Sequence, residues 1–264
     1  MARLLVLALV SAFAVGDEAS AQTSTAPANP DVGVEQLRIQ VTQTYPHDPG
    51  AFTQGLLLHN GTLYESTGLV GRSSLREVEL NTGHVLHSRE VPPPYFAEGL
   101  ALVGEKLIQL TWTSQIAFEY DRATFNPQGQ LKYDTQGWGL CYDGRRLVMT
   151  DGTSTLYFRD PTDFHVLGTI TARLFGNPLD HLNELECVDG WIYANVWTTD
   201  RIVKIDPTTG RIAAQIDASG LLSSAERAHT DVLNGIAYDP SDGEFLITGK
   251  FWPKLFRVKF VPVR

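Results

Sequence analysis

Short apolar runs alternate with polar turns along most of the chain, and five of them share one form: a polar or aromatic residue followed by Gly-Leu-small or a close variant. They are Gln54-Gly55-Leu56-Leu57, Glu98-Gly99-Leu100-Ala101, Trp138-Gly139-Leu140-Cys141, Glu184-Leu185-Glu186-Cys187 and Asn234-Gly235-Ile236-Ala237. Their second residues are spaced by 44, 40, 46 and 50 positions. Each run leads into a turn, Asn60-Gly61, Gly104-Glu105, Asp143-Gly144, Asp189-Gly190 or Ser241-Asp242-Gly243. Asn-Gly and Asp-Gly accept the positive φ of tight hairpins, so these turns fix the pairing of the strands beside them. A second strand, a third and in most repeats an outer fourth follow, the third exemplified by Leu75–Val78 and Ile202–Ile205.

Four antiparallel strands repeated five times predict an all-β five-bladed β-propeller. A strand from Leu37 to Gln43 is expected to complete the first blade, because closing the ring removes exposed edges. A β-sandwich would not repeat this regularly. Helical periodicity is confined to one short stretch, Leu221 to Arg227. The residues heading the five runs differ every time, which suggests that one end of a regular scaffold carries a site.

The amino terminus has a different character. Arg3, the apolar run Leu4 to Val15 and Ala19-Ser20-Ala21 form the basic start, short greasy segment and small-residue cleavage site of a secretory leader. The expected organisation is a signal peptide over 1–21, a polar flexible tail over 22–36 and the propeller over 37–264. Export to the periplasm or the medium follows. No later apolar run approaches the length of a membrane span. The 264 residues carry a net charge of −9 without a Lys/Arg cluster, which argues against nucleic acid and anionic membrane as partners. A closed ring can stand as a monomer. The two cysteines, Cys141 and Cys187, fall at matching repeat positions; on neighbouring blades they are expected to lie too far apart to bridge, leaving two buried free thiols.

Candidate chemistry lies where the repeat is broken. Glu65 stands on a second strand where other repeats carry Gln109, Met149, Ala194 and Thr248, and burial there is expected to raise its pKa toward neutrality, suiting proton transfer. A surface carboxylate fits the spacing equally well. Trp112, Trp138, Trp197 and Trp252 fall at strand ends, where indoles can wall an apolar pocket or simply pack between blades. Gln54, Asn183, Asn234 and Lys250 lie in or beside inner strands, as substrate contacts or as partners of buried backbone. Glu98, Glu184 and Glu186 lie near the expected axis, where calcium or hydrogen-bonded water could sit. No phosphate loop, nucleophile elbow or zinc spacing is present, and His84/His87 falls on opposite strand faces.

Eight motifs in order carry a resemblance. Phe52-Thr53-Gln54-Gly55-Leu56, Glu65-Ser66-Thr67-Gly68-Leu69 with Gly71-Arg72-Ser73-Ser74, Glu98-Gly99-Leu100 and Gly137-Trp138-Gly139-Leu140 come first. Leu182-Asn183-Glu184-Leu185-Glu186, Ala194-Asn195-Val196-Trp197, Asp231–Ala237 and Thr248–Phe256 follow. Together, from about Tyr45 to Lys259, they resemble the plant and bacterial type of glutaminyl-peptide cyclotransferase. The resemblance implies a five-bladed propeller that cyclises N-terminal glutamine of peptides to pyroglutamate with release of ammonia. It implies no required cofactor, with axial calcium as a structural option, and no zinc. Matched to its motifs, Glu65 is the general acid/base and Gln54, Trp112, Trp138, Asn183, Trp197 and Lys250 surround the substrate. Within that set Asn183, Gln54 and Trp197 would contact the carboxamide and its oxyanion, and Lys250 a peptide carbonyl. A propeller that only binds protein or glycan, and a calcium-dependent propeller hydrolase such as a lactonase, are the alternatives.

Overall fold

A computed structural model describes residues 33–263, so the expected leader over 1–21 and most of the expected tail lie outside the described residues. The chain begins with β1 (Glu35–Pro46) and continues through three consecutive four-stranded antiparallel sheets. The first holds β2 (Thr53–His59), β3 (Thr62–Thr67), β4 (Ser74–Val78) and β5 (Val85–Glu90). The second holds β6 (Ala97–Val103), β7 (Lys106–Thr111), β8 (Ile116–Asp121) and β9 (Pro127–Lys132). The third holds β10 (Leu140–Tyr142), β11 (Leu147–Thr150), β12 (Thr155–Arg159) and β13 (Val166–Thr171). A two-stranded ribbon, β14 (Arg173–Leu174) and β15 (Asn177–Pro178), precedes β16 (Leu182–Val188), β17 (Trp191–Val196), β18 (Arg201–Ile205) and β19 (Ile212–Asp217). After the short helix α1 (Ser224–Arg227) come β20 (Leu233–Asp239), β21 (Glu244–Gly249) and β22 (Lys254–Pro262). α1 starts at a capping box, Ser223 and Glu226 each satisfying the other's backbone N–H.

The last seven strands and β1 form one eight-stranded sheet in the order β16-β17-β18-β19-β1-β22-β21-β20. Its two four-strand halves are antiparallel within themselves and meet where β1 runs parallel to β19, Glu35 opposite Ala214. β1 therefore completes the final repeat and not the first, which corrects the sequence expectation. The reason is in the strand count: the first repeat supplies its own outer strand, Val85–Glu90, whereas the last has three and leaves the edge of β22 open. Covering that edge satisfies a row of backbone N–H and C=O groups.

Burial grades from the first strand of each repeat outward. β6 and β20 begin with five buried residues and β2 with four, whereas β5 and β13 have none. The first strands adjoin in a cycle, β2 to β6, β6 to β10, β10 to β16, β16 to β20 and β20 back to β2. The recurring glycine makes this approach feasible. A Cβ on Gly99 would come within 2.5 Å of the Leu140 nitrogen, and one on Gly139 within 2.0 Å of the Asn183 carbonyl.

The same closeness overturns the expectation of two free thiols. Cys141 on β10 and Cys187 on β16 form a disulfide, with Cα atoms 5.6 Å apart. These two first strands converge near the centre of the cycle, inside the span that a disulfide tolerates.

Candidate active site

Strand pairing corrects the alignment of the fourth run. Leu56 lies opposite Glu65, Leu100 opposite Gln109, Leu140 opposite Met149, Leu185 opposite Ala194 and Ile236 opposite Ile247. Leu185 is thus the counterpart of Leu56, Asn183 heads the fourth run, and Glu184 takes the glycine position. Ile247, not Thr248, is the fifth counterpart of Glu65. The pairing slips beside the head residue in four of the five, between Thr53/Gly55, Ala97/Leu100, Leu182/Leu185 and Leu233/Ile236. A bulge re-aims the side chain at its apex, and here the heads converge.

They converge on a cavity of about 360 Å³. Gln54, Glu98, Trp138 and Asn183, four of the five heads, line it together with Lys250. Its walls are Phe52, Phe96, Trp112, Trp138 and Trp197; Thr198, Asp231 and Val232 complete the lining. All six residues expected to surround a substrate, Gln54, Trp112, Trp138, Asn183, Trp197 and Lys250, are brought to this one place. Gln54, Glu98, Asn183 and Lys250 are buried, whereas Trp112 and Asp231 are exposed at the rim. The aromatic wall is braced edge to face, Phe96 on Trp112 at 5.8 Å and Trp138 on Trp197 at 5.5 Å between ring centres.

The polar atoms in the cavity divide into engaged and free. Gln136 Oε1 accepts both the Trp112 and the Trp138 indole N–H, at 2.7 and 3.0 Å. The Trp197 indole N–H has no hydrogen bond among the described residues. Asn234 donates to Gln54 Oε1 at 3.3 Å, which orients the Gln54 amide. Asn183 Oδ1 is buried and has no hydrogen-bond partner among the described residues. The Glu98 carboxyl makes no side-chain hydrogen bond among the described residues. Burial holds it well above the usual carboxylate range, against the opposing pull of Lys250. Burial likewise lowers the pKa of Lys250, with Glu98 and Asp231 opposing, and its Nζ lies 4.7 Å over the Phe52 ring.

Glu65 does not belong to this cavity, and its expected raised pKa is overturned. Its side chain is buried, but Oε1 accepts the Thr53 hydroxyl at 2.7 Å and faces His47 Nε2 at 3.1 Å. Arg76 Nη1 stands 3.9 Å from Oε2. Burial alone would raise this carboxyl; the His47 charge and hydrogen bond, the Thr53 hydroxyl and Arg76 outweigh it and hold it below the usual range. Trp252 also departs from expectation. It is buried, gives its indole N–H to the Asp231 carbonyl at 3.0 Å, and lines a separate cavity beside Arg227.

The axial carboxylates are occupied by backbone. Glu184 accepts N–H from Leu56 at 3.2 Å and Ile236 at 2.7 Å, one on each oxygen, and Glu186 accepts from Tyr238 at 3.1 Å. Each N–H takes up one acceptor direction of the oxygen it meets. Burial and the neighbouring Glu186 hold Glu184 well above the usual range. Among the described residues the one group of three possible metal ligands within reach of each other is Asp160, Asp163 and His165, two of them exposed and none in the cavity.

The sequence had placed Glu98 near the axis without a reaction role. The signal that identifies it is its place as head of its run, in the same column as Gln54, Trp138 and Asn183. Phe52 and Phe96 were also missed; each stands two residues before a head, just ahead of the strand that carries it.

The glutamine cyclotransferase family model matches residues 9–260. A glutaminyl-peptide cyclotransferase of Arabidopsis thaliana is 44% identical over 227 residues, covering 84% of this chain and 71% of its own length. The crystal structure of a Myxococcus xanthus glutaminyl cyclase superposes with a TM-score of 0.79 at 38% identity, covering 88% of this chain and all of that one.

Proposed function

This chain belongs to the glutamine cyclotransferase family, and from that premise we propose that the aromatic cavity closes N-terminal glutamine to pyroglutamate with Glu98 as its proton carrier. The activity is that of a glutaminyl-peptide cyclotransferase acting on N-terminal glutamine. The observation that carries the assignment of Glu98 is a carboxyl free of side-chain hydrogen bonds among the described residues, held well above the usual carboxylate range by burial, inside a cavity that also presents an unengaged amide oxygen and an unengaged indole N–H.

The reaction forms a bond from the α-amine nitrogen to the γ-carboxamide carbon and breaks the bond from that carbon to the carboxamide nitrogen. Nucleophile and electrophile belong to one residue, so the protein supplies orientation more than reactive groups. The five aromatic rings enclose the aliphatic part of the glutamine. Asn183 Oδ1, lacking a partner among the described residues, accepts a hydrogen bond from a substrate N–H. The Gln54 amide and the Trp197 indole N–H donate to the carboxamide oxygen as it gains negative charge, and Lys250 holds a carbonyl of the following peptide. Glu98 takes one proton from the attacking nitrogen and delivers one to the departing nitrogen, ending in the state in which it began. Ammonia and the pyroglutamyl peptide leave.

We read the five four-stranded groups, including β20-β21-β22-β1, as five blades around the cycle of first strands. The disulfide fits an oxidising compartment and supports export guided by the leader expected over 1–21. Residues 37–264 then act as one catalytic unit and as a monomer, on peptides and proteins bearing N-terminal glutamine. No cofactor takes part, because the substrate amine is itself the nucleophile and the only proton carrier needed is a carboxyl.

The deciding experiment incubates pure protein with a Gln-initiated peptide and follows loss of one ammonia by mass spectrometry, with and without chelator. Chelator-insensitive loss is expected. Absence of any mass change would leave a binding propeller, and activity restored only by calcium would leave a metal-dependent hydrolase.

A further inference from the structure

Lys250 reaches the cavity from a turn whose backbone is held in an unfavourable shape. The turn Gly249–Pro253 joins β21 to β22, and Phe251 within it has φ +61, a left-handed conformation rarely adopted by a bulky side chain. Such a conformation persists only where surrounding contacts over-determine it. Phe251 N–H donates to the Ala51 carbonyl at 2.7 Å, and His47 N–H donates to the Pro253 carbonyl at 3.0 Å. His47 adds a third tie through its ring, with Nδ1 2.7 Å from the Trp252 carbonyl.

The other side of that ring faces the cluster built around Glu65. Nε2 lies 3.1 Å from Glu65 Oε1, the oxygen that also accepts Thr53, and Thr53 immediately precedes the cavity residue Gln54. Arg76 stands behind Glu65 and pairs with Asp48 at 2.8 Å. A carbonyl can only accept, so Nδ1 donates. The ionised Glu65 can also only accept, so Nε2 donates as well, and the ring carries both protons. A neutral imidazole has one donor and would release one of the two partners. His47 and Glu65 are both buried, so the positive ring depends on this counter-charge.

We propose that His47 is a positioning residue for Lys250: its ring, clamped between the Glu65 carboxylate and the Trp252 carbonyl, fixes the strained turn that delivers the ammonium to the cavity. The proposal rests on the cavity being the site of glutamine cyclisation. Glu65 thereby acts through His47, two steps from the substrate. The groups facing the His47 ring are Glu65 from β3, Thr248 from β21 and the turn carbonyl, with Thr53 from β2 on the same Glu65 oxygen and Arg76 and Asp48 beyond the carboxylate.

The test is a double-mutant cycle read as kcat/KM on a Gln-initiated peptide, using His47→Gln, Lys250→Met and the pair, with His47→Gln/Trp112→Ala as the comparison. His47→Gln is expected to lower kcat/KM about tenfold, mainly through KM, and to lose most of that effect once Lys250 is Met. Its effect should multiply with that of Trp112→Ala, on the other wall. If the His47 and Lys250 effects multiply as independent losses, the positioning role is overturned. A second measurement needs no substitution: nitrogen-15 NMR of histidine-labelled wild type near neutral pH should show both ring nitrogens of His47 protonated. A single ring proton would refute the clamp. Wild-type turnover of the peptide is measured in the same series, so failure of the cyclisation reading is distinguishable from failure of this one.

Discussion

Replacing Glu98 by glutamine separates proton transfer from binding more sharply than any other change in the cavity. The substitution keeps length and shape, and the carboxyl it removes makes no side-chain hydrogen bond among the described residues, so no protein partner is orphaned. Glu98 is 5% exposed and its one charged influence is Lys250. A positioned acid/base contributes about 10²- to 10⁴-fold, or about 3 to 5 kcal/mol of barrier. An amide cannot carry the proton between the two nitrogens, so kcat should fall by that factor while KM changes little. Ammonia release coupled to a reporter enzyme, or peptide mass spectrometry at saturating substrate, measures it. Turnover within about threefold of wild type would refute Glu98 as the carrier, because the loss would then be smaller than the least that such a role contributes.

Glu65→Gln should behave in the opposite way. It breaks a buried pair with His47 and should cost about 3 to 5 kcal/mol in urea unfolding, with a smaller loss of kcat than Glu98→Gln. Stability should fall as pH rises above about 5, because Glu98 and Glu184 hold protons in the folded state that the unfolded chain releases. Each such group contributes up to about 1.4 kcal/mol per pH unit between its unfolded and folded pKa, so Glu98→Gln should flatten the stability profile, read from unfolding midpoints across pH. A mutant profile as steep as the wild type would count against a protonated Glu98. Reducing the Cys141–Cys187 bond, which closes a separation of 46 residues, should lower unfolding free energy by about 4 kcal/mol, measured with and without reductant.

Much of the architecture was legible from periodicity. Five runs with hairpin turns at matching offsets predict repeated antiparallel units, and β2 to β9 follow that pattern strand by strand. The partner of β1 was not legible, because a single strand carries no mark of which edge it will cover; counting strands in the last repeat would have shown the vacancy. The disulfide was missed because sequence spacing does not report how closely first strands converge at the centre of a ring. The pKa of Glu65 was expected in the wrong direction for an electrostatic reason. Burial was visible as a break in an apolar column, but His47 lies 18 positions upstream on another segment and nothing local marks it as a partner. Glu98 was in plain view as a head residue, yet a one-residue misalignment of the fourth run put Glu184 where Asn183 belongs and hid the column they share.

The pairing of β1 with β22 also sets an order of events. Ribosomes make Glu35–Pro46 first among the described strands and Lys254–Pro262 last, yet these two strands lie side by side. The earliest strand must therefore wait, unpaired along that edge, until β22 exists. Closure is the longest-range strand pairing among the described residues and so the one with the greatest loop entropy to overcome. A nascent chain can complete its inner repeats as they appear, but it cannot close this seam before β22 has been made. Loss of β22 would leave a cavity's worth of correctly placed side chains on a scaffold with an open seam.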